Sequence, residues 1–508
     1  MKTHKVIGLS YIGAAVLMAF VGGSLALLFS SQLAFPEQFL LIGSEYNTSV
    51  TLHGMIMVLW VALPVLFSAL GHLIIPKAIG SKKMFSSSLT VLSFGIFAIS
   101  IFLFIASLIV DKYMGHSIFL SSALRGGNIA DQFMELGYHI FVLSTQSPDV
   151  STSVSMISLH LMMAAIGLNL VSQIINGIHF VLTSLVRRFK EIKILKLPVV
   201  VWVINLSSIY LIVLLVPPIV GVAMILTDLL GGISFYGPNV GGDPILFQYI
   251  GSLGFLAGYS VAHIFIALTG GILADIGLSL ARPLKWQKIT AYIFVLFIVV
   301  IFMLNMLFGF IESWNERTDG VDSIVYSGFY PPLHVVILFL TGLYIWNLIK
   351  RRFSLKVEVL WAFGMLASLI VTQVIGGHMR FSIDSLFFAD NTTYTVVDYY
   401  PPMLILVFLF GGFAAIYHWF QEIIGRQYNK VLAYIHFVLT LIFFYGILLS
   451  RFLPLPMEPY QDTSPGTDPE SINIFILAMT IGLALTQLVW VYNMIWSGWK
   501  GKLVDTET

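Results

Sequence analysis

The chain has 508 residues, of which 58% are hydrophobic and 14% aromatic, while only 10% are charged. Soluble domains carry about 25% charged residues, so this composition excludes an ordinary soluble protein and indicates an integral membrane protein. The net charge of +1 gives no indication of a nucleic-acid partner, and the absence of cysteine excludes disulfides, thiolate metal sites and iron–sulfur clusters.

Twelve apolar runs are long enough to cross a bilayer, which takes roughly 20 helical residues. The first is too long for the apolar part of a signal peptide and is predicted to remain as a helix. No repeat, linker or soluble segment interrupts the series, so the chain is predicted to be all-α and to form one transmembrane domain over residues 1–508. The runs lie near residues 7–30, 50–75, 86–110, 153–185, 199–227, 247–280, 288–313, 327–349, 357–377, 399–420, 430–452 and 472–498.

Lysine and arginine are concentrated in every second connection between these runs. Lys2 and Lys5 precede the first run, and residues such as Lys82, Lys83 and Arg187 follow even-numbered runs. Because loops rich in Lys and Arg stay in the cytoplasm, both termini are predicted to be cytoplasmic. The same pattern, without an N-terminal targeting peptide, favours a bacterial plasma membrane.

Two segments carry the most specific motifs of the chain. His53 stands in the segment Thr51–Met57 of the second run, and the segment Gly241–Gln248, with the letters GGDPILFQ, precedes the sixth run. Together they resemble subunit I of the heme-copper oxidases, and the resemblance extends in order over nearly the whole chain. It implies the twelve-helix arrangement of that family, with His53 as an axial ligand of the low-spin haem. Shorter matches lie at Pro76–Gly80, Ile157–Leu161, Leu226–Asp228, Thr341–Gly342, Tyr394–Val397 and Tyr417–Phe420.

The other ligand positions that the resemblance implies hold no histidine in this chain. The copper positions are occupied by Leu256, Asn315 and Glu316, and the two haem positions of the tenth helix by Tyr399 and Pro401. A redox-active copper ion needs several imidazoles at close range, so copper is not expected. Tyrosine can hold haem iron, and Tyr399 therefore remains a weak candidate beside His53. The positions that the resemblance links to proton transfer hold Lys83, Gly258, Ser260 and Tyr344.

Glu312, Asn315 and Glu316 share one helical face at spacings of three and four residues. This spacing is compatible with an ion or proton site at Glu312 and Glu316, and more simply with a solvated helix end. The eleven histidines other than His53 form no recognisable ligand set, and His72 is predicted to lie near a helix end or loop.

Three functions remain open. The favoured interpretation is a degenerate member of the family that does not reduce oxygen and serves as a membrane subunit of a larger complex with a proton- or ion-coupled role. Its partners would be the lipid bilayer and other membrane or peripheral subunits. The first alternative is a divergent respiratory oxidase or reductase subunit that binds haem through His53. The second is a transporter or channel without redox chemistry.

Overall fold

The structure is a computed structural model. The described residues form helices and loops, with one isolated β-bridge between Arg426 and Leu503. This confirms the predicted all-α class. The described residues are 2–35, 40–41, 43–113, 152–189, 197–229, 235, 264–265, 267–277, 293, 356–365, 367, 393–450 and 469–504.

Long helices account for most of the described chain. Among the described residues, seven helical spans are long and apolar enough to cross a membrane, and they coincide with seven of the predicted runs. Of the remaining five runs, the one near residues 399–420 lies within a described helix, and four fall partly or wholly outside the described residues. The helices are α1 Thr3–Ala34, α2 Gly43–Met55, α3 Leu70–Ala78, α4 Ser87–Tyr113, α5 Thr152–Val186, α6 Val199–Leu229, α7 Thr393–Ile424, α8 Lys430–Ser450 and α9 Pro469–Lys500.

The helices pack as neighbours in chain order, and the first also contacts the last. α4 lies against α5, α5 against α6, and α8 against α9, while α1 contacts both the second span and α9. Glycine permits several of these close approaches: a Cβ atom on Gly71 would overlap the ring of Phe180, and one on Gly482 would overlap the ring of Phe443. Small residues at helix contacts are the usual way in which membrane helices approach closely.

The second span is continuous from α2 to α3 and has π-helical geometry over Ile56–Ala62 and Pro64–Ala69. The N–H of Leu63 donates to the carbonyl of Val58, five residues back. With the same spacing of five residues, the carbonyl of Leu59 would accept from the N–H of residue 64. Residue 64 is proline and has no N–H. The amide Nδ2 of Asn169, on α5, donates to that carbonyl at 2.8 Å. Asn169 therefore supplies the hydrogen bond that Pro64 cannot make.

We expect Asn169→Leu to lower the stability by about 1 kcal/mol, because the carbonyl of Leu59 then lacks a donor. In a Pro64→Ala background the backbone regains an N–H at position 64, so the same substitution should cost less and remove only the acceptor of Gln173. A double-mutant cycle on detergent-solubilised protein, with unfolding followed by circular dichroism, measures this difference. Equal costs in both backgrounds would show that Asn169 does not compensate for the proline.

The last described residues close the end of the bundle that carries both termini. Gly425 has a φ of 77° and ends α7, a conformation that glycine adopts without strain. The following loop pairs with the residues after α9: the N–H of Gln427 donates to the carbonyl of Lys502 at 2.8 Å, and that of Val504 to the carbonyl of Gly425 at 3.0 Å. These bonds join the end of α7 to the end of α9.

Candidate functional site

His53 lies near the end of α2, where α1 and the second span approach closely. Its ring nitrogen Nδ1 is 2.8 Å from the backbone carbonyl oxygen of Gly22, on α1. A Cβ atom on Gly22 would lie 3.1 Å from both Ile56 Cγ2 and Met57 Cε, so the absence of a side chain there keeps the two helices close. The carbonyl and the glycine together fix the position of the imidazole.

The contact with Gly22 determines which nitrogen of His53 is available for a ligand. A carbonyl oxygen only accepts hydrogen bonds, so Nδ1 must carry the proton and Nε2 has the free electron pair. Within the described residues Nε2 has no hydrogen-bond partner, and the ring of Phe29 packs edge-on at 5.7 Å between centroids. Metal-bound histidines commonly have their second nitrogen held in this way. His53 is thus suited to bind a metal through Nε2.

Most of the other positions singled out in the sequence cannot be compared with His53 in space. The residues that fall outside the described part of the chain are Leu256, Gly258, Ser260, Glu312, Asn315, Glu316 and Tyr344. The ion or proton site at Glu312 and Glu316 therefore remains a prediction.

Tyr399 and Pro401 belong to α7, which begins at Thr393 and continues through both prolines at 401 and 402. The predicted run begins near residue 399, so the helix starts earlier than predicted. Its backbone is described at these two positions but their side chains are not.

Lys83 is exposed in the connection between α3 and α4. Its carbonyl oxygen accepts a hydrogen bond from the hydroxyl of Ser81 at 2.7 Å. This confirms the predicted position of Lys83 in a loop after the second span.

A chain of buried polar side chains connects α1, the second span and α5. Asn176, on α5, donates through Nδ2 to the hydroxyl oxygens of Tyr11 at 3.0 Å and Ser68 at 2.9 Å. The hydroxyls of Tyr11 and Ser172 are 3.2 Å apart, and Ser172 donates to the carbonyl of Ser93 on α4. All four helical segments are therefore joined by hydrogen bonds inside the membrane.

The chain continues along α5 toward the second span. Ser68 donates to Gln173 Oε1 at 2.6 Å, and Gln173 donates through Nε2 to Asn169 Oδ1 at 3.1 Å. Asn169 then donates to the carbonyl of Leu59, as described above. Each step has one donor and one acceptor, so the bonds all have a defined direction toward the π-helical segment.

Two histidines form the other end of this chain. Asn176 uses its NH₂ group as a donor, so its Oδ1 accepts from His72 Nε2 at 3.1 Å, which leaves His72 Nδ1 with a free electron pair. His179 Nε2 accepts from the N–H of Ser86 at 3.1 Å, which leaves a proton on His179 Nδ1. Both Nδ1 atoms are buried and unpartnered, and the ring centroids are 5.8 Å apart. One ring thus has an unused acceptor nitrogen and the other an unused donor nitrogen.

The buried position of His72 corrects the sequence analysis, which placed it near a helix end or loop. It lies within α3 and is fully buried, because Tyr11 stacks on it and Phe180 packs edge-on against it. A signal for the polar chain was present in the sequence. Polar residues recur on one face of α5 at spacings of three and four, at Asn169, Ser172, Gln173, Asn176, His179 and Thr183.

A second buried polar group lies where α7 meets α8. The hydroxyl of Tyr417 is 3.1 Å from His436 Nδ1, and Tyr428, in the loop after α7, donates to Glu358 Oε2 at 3.1 Å. Burial, together with the nearby Glu358 carboxylate, raises the pKa of Tyr428 above its ordinary value. Tyr428 therefore stays protonated and acts as a donor to Glu358. Within the described residues, no three His, Asp or Glu side chains come together as a metal site.

Known proteins resemble this chain over most of its length. The family model described as "Cytochrome C and Quinol oxidase polypeptide I" matches residues 6–455. Cytochrome c oxidase subunit 1 of Synechocystis sp. is 28% identical, with 98% of this chain and 84% of the relative covered. The heme-copper oxidase subunit I+III of Aeropyrum pernix is also 28% identical and covers 89% of this chain, which spans 51% of that longer protein.

A solved structure shares the fold. A heme-copper terminal oxidase dimer determined by electron cryo-microscopy matches with a TM-score of 0.64 at 12% sequence identity, over 99% of this chain and 85% of the other. At this identity the likeness shows the arrangement of helices alone.

Proposed function

This chain belongs to the family of cytochrome c and quinol oxidase polypeptide I, and we propose that it is a degenerate member that does not reduce oxygen. It is an integral membrane protein of the heme-copper oxidase subunit I type. The proposed role is that of a membrane subunit in a larger, proton- or ion-coupled complex.

One observation carries the proposal: the three copper positions that the resemblance implies hold Leu256, Asn315 and Glu316. A leucine side chain offers no ligand, and an amide with a carboxylate is an oxygen set that suits hard cations rather than copper. Without copper, a haem iron alone has no second metal with which to cleave oxygen between two centres.

The proposal is tested by metal analysis and oxygen uptake on the purified protein with an artificial electron donor. We expect copper well below one atom per chain and no oxygen uptake above that of donor without protein. The enzyme containing the Bacillus subtilis cytochrome c oxidase subunit 1, a relative of 25% identity, serves as the positive control. Stoichiometric copper with turnover would refute the proposal.

The geometry of His53 favours a second candidate, in which the chain retains one haem. The fit is partial: Nε2 of His53 carries a free electron pair and could hold iron, and Tyr399 is the second candidate ligand. When bound, the iron would supply one-electron transfer. In this chain His53 would hold the group, the Gly22 carbonyl would keep its ring in the ligating tautomer, and Phe29 would limit its rotation.

The proton- or ion-coupled part of the proposal is supported by two ionisable side chains, the buried rings of His72 and His179 at one end of the buried polar chain. Its members donate and accept in one direction from His72 through Asn176 and Ser68 to Asn169. Rings and hydroxyls can release and take up a proton, whereas the carboxamides of Asn176, Gln173 and Asn169 do not readily do so, so proton exchange is proposed at the histidine end of the chain and the amides hold the helices together. Ionisable side chains are costly inside a membrane, and those that are found there commonly have a function.

The relatives and the basic loops motivate the proposed partners and location. The Aeropyrum pernix relative is a fused subunit I+III, so a separate membrane subunit is proposed to pack against this chain. The proposed location is a bacterial plasma membrane with both termini in the cytoplasm, in line with the basic loops and with relatives from bacteria.

A further inference from the structure

The last helix exposes one continuous apolar stripe whose chemistry changes along its length. Successive members are three or four residues apart, so they lie on one face. The first three are aliphatic and the last three are aromatic. They are Ile481, Leu485, Leu488, Tyr492, Trp496 and Trp499, with exposed fractions of 44%, 57%, 45%, 55%, 44% and 76%.

The opposite face of the same helix end is polar and turned toward the protein. Asn493 and Ser497 are buried, and both accept from the N–H of Asn429 in the loop before α8, at 3.1 and 3.0 Å. The helix end is therefore inverted relative to that of a soluble protein, with its polar side inside and its aromatic side outside. Something apolar must cover the aromatic side.

The length of α9 places its end at the membrane surface. The span Ser471–Lys500 has 30 residues, which is about 45 Å of helix at 1.5 Å per residue. The hydrocarbon layer is only about 30 Å thick, so roughly 15 Å of helix lies outside it. Tyr and Trp prefer the headgroup layer to the hydrocarbon layer, and the order aliphatic, aromatic, cationic from Leu488 to Lys500 follows the depth of one leaflet.

Two cations complete the arrangement. The ammonium of Lys500 lies 5.3 Å from the ring centroid of Trp496. The ring of Tyr492 stacks on that of Trp496, with 6.0 Å between the two centroids. Lys502 is exposed just beyond. We propose that Trp496, Trp499, Lys500 and Lys502 form a binding site for the phosphate of an anionic phospholipid, in the leaflet that faces the C-terminal end of α9.

The lipid class is tested by native mass spectrometry of the full chain with phosphatidylglycerol or phosphatidylcholine. We expect the wild-type protein to retain phosphatidylglycerol preferentially, and Lys500→Gln to bind it about fivefold more weakly, the effect of one basic residue at a lipid surface. Lys82→Gln, which removes an exposed charge for which the described residues show no cation–π contact, should have little effect. Equal retention of both lipids by the wild type, or equal losses in the two variants, would overturn the proposal.

Spin labels test separately whether lipid covers the aromatic face. The chain is well suited to this experiment because it contains no cysteine. Single variants Leu488→Cys and Trp499→Cys are labelled and studied in vesicles of phosphatidylglycerol and phosphatidylcholine. We expect oxygen to reach both labels, and a water-soluble nickel complex to reach the label at position 499 much more than the one at 488. Protection of position 499 from both reagents would mean that a protein partner, not lipid, covers this face.

Discussion

Replacing His53 by alanine should abolish the visible haem band of the purified protein if the second candidate function is correct. Nε2 of His53 is the candidate ligand atom for iron, because the hydrogen bond from Nδ1 to the Gly22 carbonyl at 2.8 Å leaves the electron pair of Nε2 free. The measurement is a reduced-minus-oxidised spectrum with iron analysis on the same sample. We expect loss of essentially all band intensity, with an unchanged elution volume in size-exclusion chromatography.

A second variant separates ligation from folding. In His53→Gly, free imidazole can enter the space that the side chain leaves, so adding it should restore part of the band. His160→Ala, which removes another histidine from a membrane span, is the control and should keep the full band. A band that survives His53→Ala would rule out His53 as the ligand. A wild-type spectrum without any haem band would rule out the second candidate and leave the proposal of a degenerate subunit that does not reduce oxygen.

Asn176→Leu should be the most destabilising substitution in the buried polar chain. This one amide bonds to His72, Tyr11 and Ser68, and each interhelical hydrogen bond in a membrane contributes about 0.6 kcal/mol on average. The sum gives a loss of about 2 kcal/mol, with three polar groups left unpaired. Thermal unfolding in detergent, monitored by circular dichroism, measures the loss.

The matched control is Asn473→Leu. Asn473 is also an asparagine on a membrane helix, but its one described hydrogen bond, to the carbonyl of Leu33 at 3.1 Å, is exposed. Its replacement should cost a few tenths of a kcal/mol. If the two variants melted at the same temperature, the polar chain would contribute little to holding α1, the second span and α5 together.

Hydrophobic length was sufficient to predict the seven spans found among the described residues, because a bilayer imposes one length requirement on every helix that crosses it. α4 begins at Ser87 and α6 at Val199, each within one residue of the predicted run. The predicted run near residues 399–420 begins later than α7, which starts at Thr393 and includes the prolines at positions 401 and 402. In a membrane bundle, neighbouring groups can satisfy the bonds that proline interrupts, so the helix continues through them.

The polar chain was missed because hydropathy averages over all faces of a helix. α5 remains apolar enough to span the membrane while six of its residues form a polar stripe on one side. Pairing is also a property of the packed bundle: Ser68 and Gln173 are 105 residues apart, and nothing local in either segment indicates the other. The bond between His53 and Gly22 had no sequence signal for the same reason.

The packing of α1 against α9 has a consequence for biosynthesis. The hydrogen bond from Asn473 to Leu33 joins residues 440 positions apart. At about 5–20 residues per second, the ribosome needs roughly 20–90 s to deliver the second partner after the first. During that time the α9-facing side of the newly inserted first helix has no native neighbour. A chaperone or insertase that shields it, or a truncated chain that never supplies it, should therefore decide how much of this protein escapes degradation.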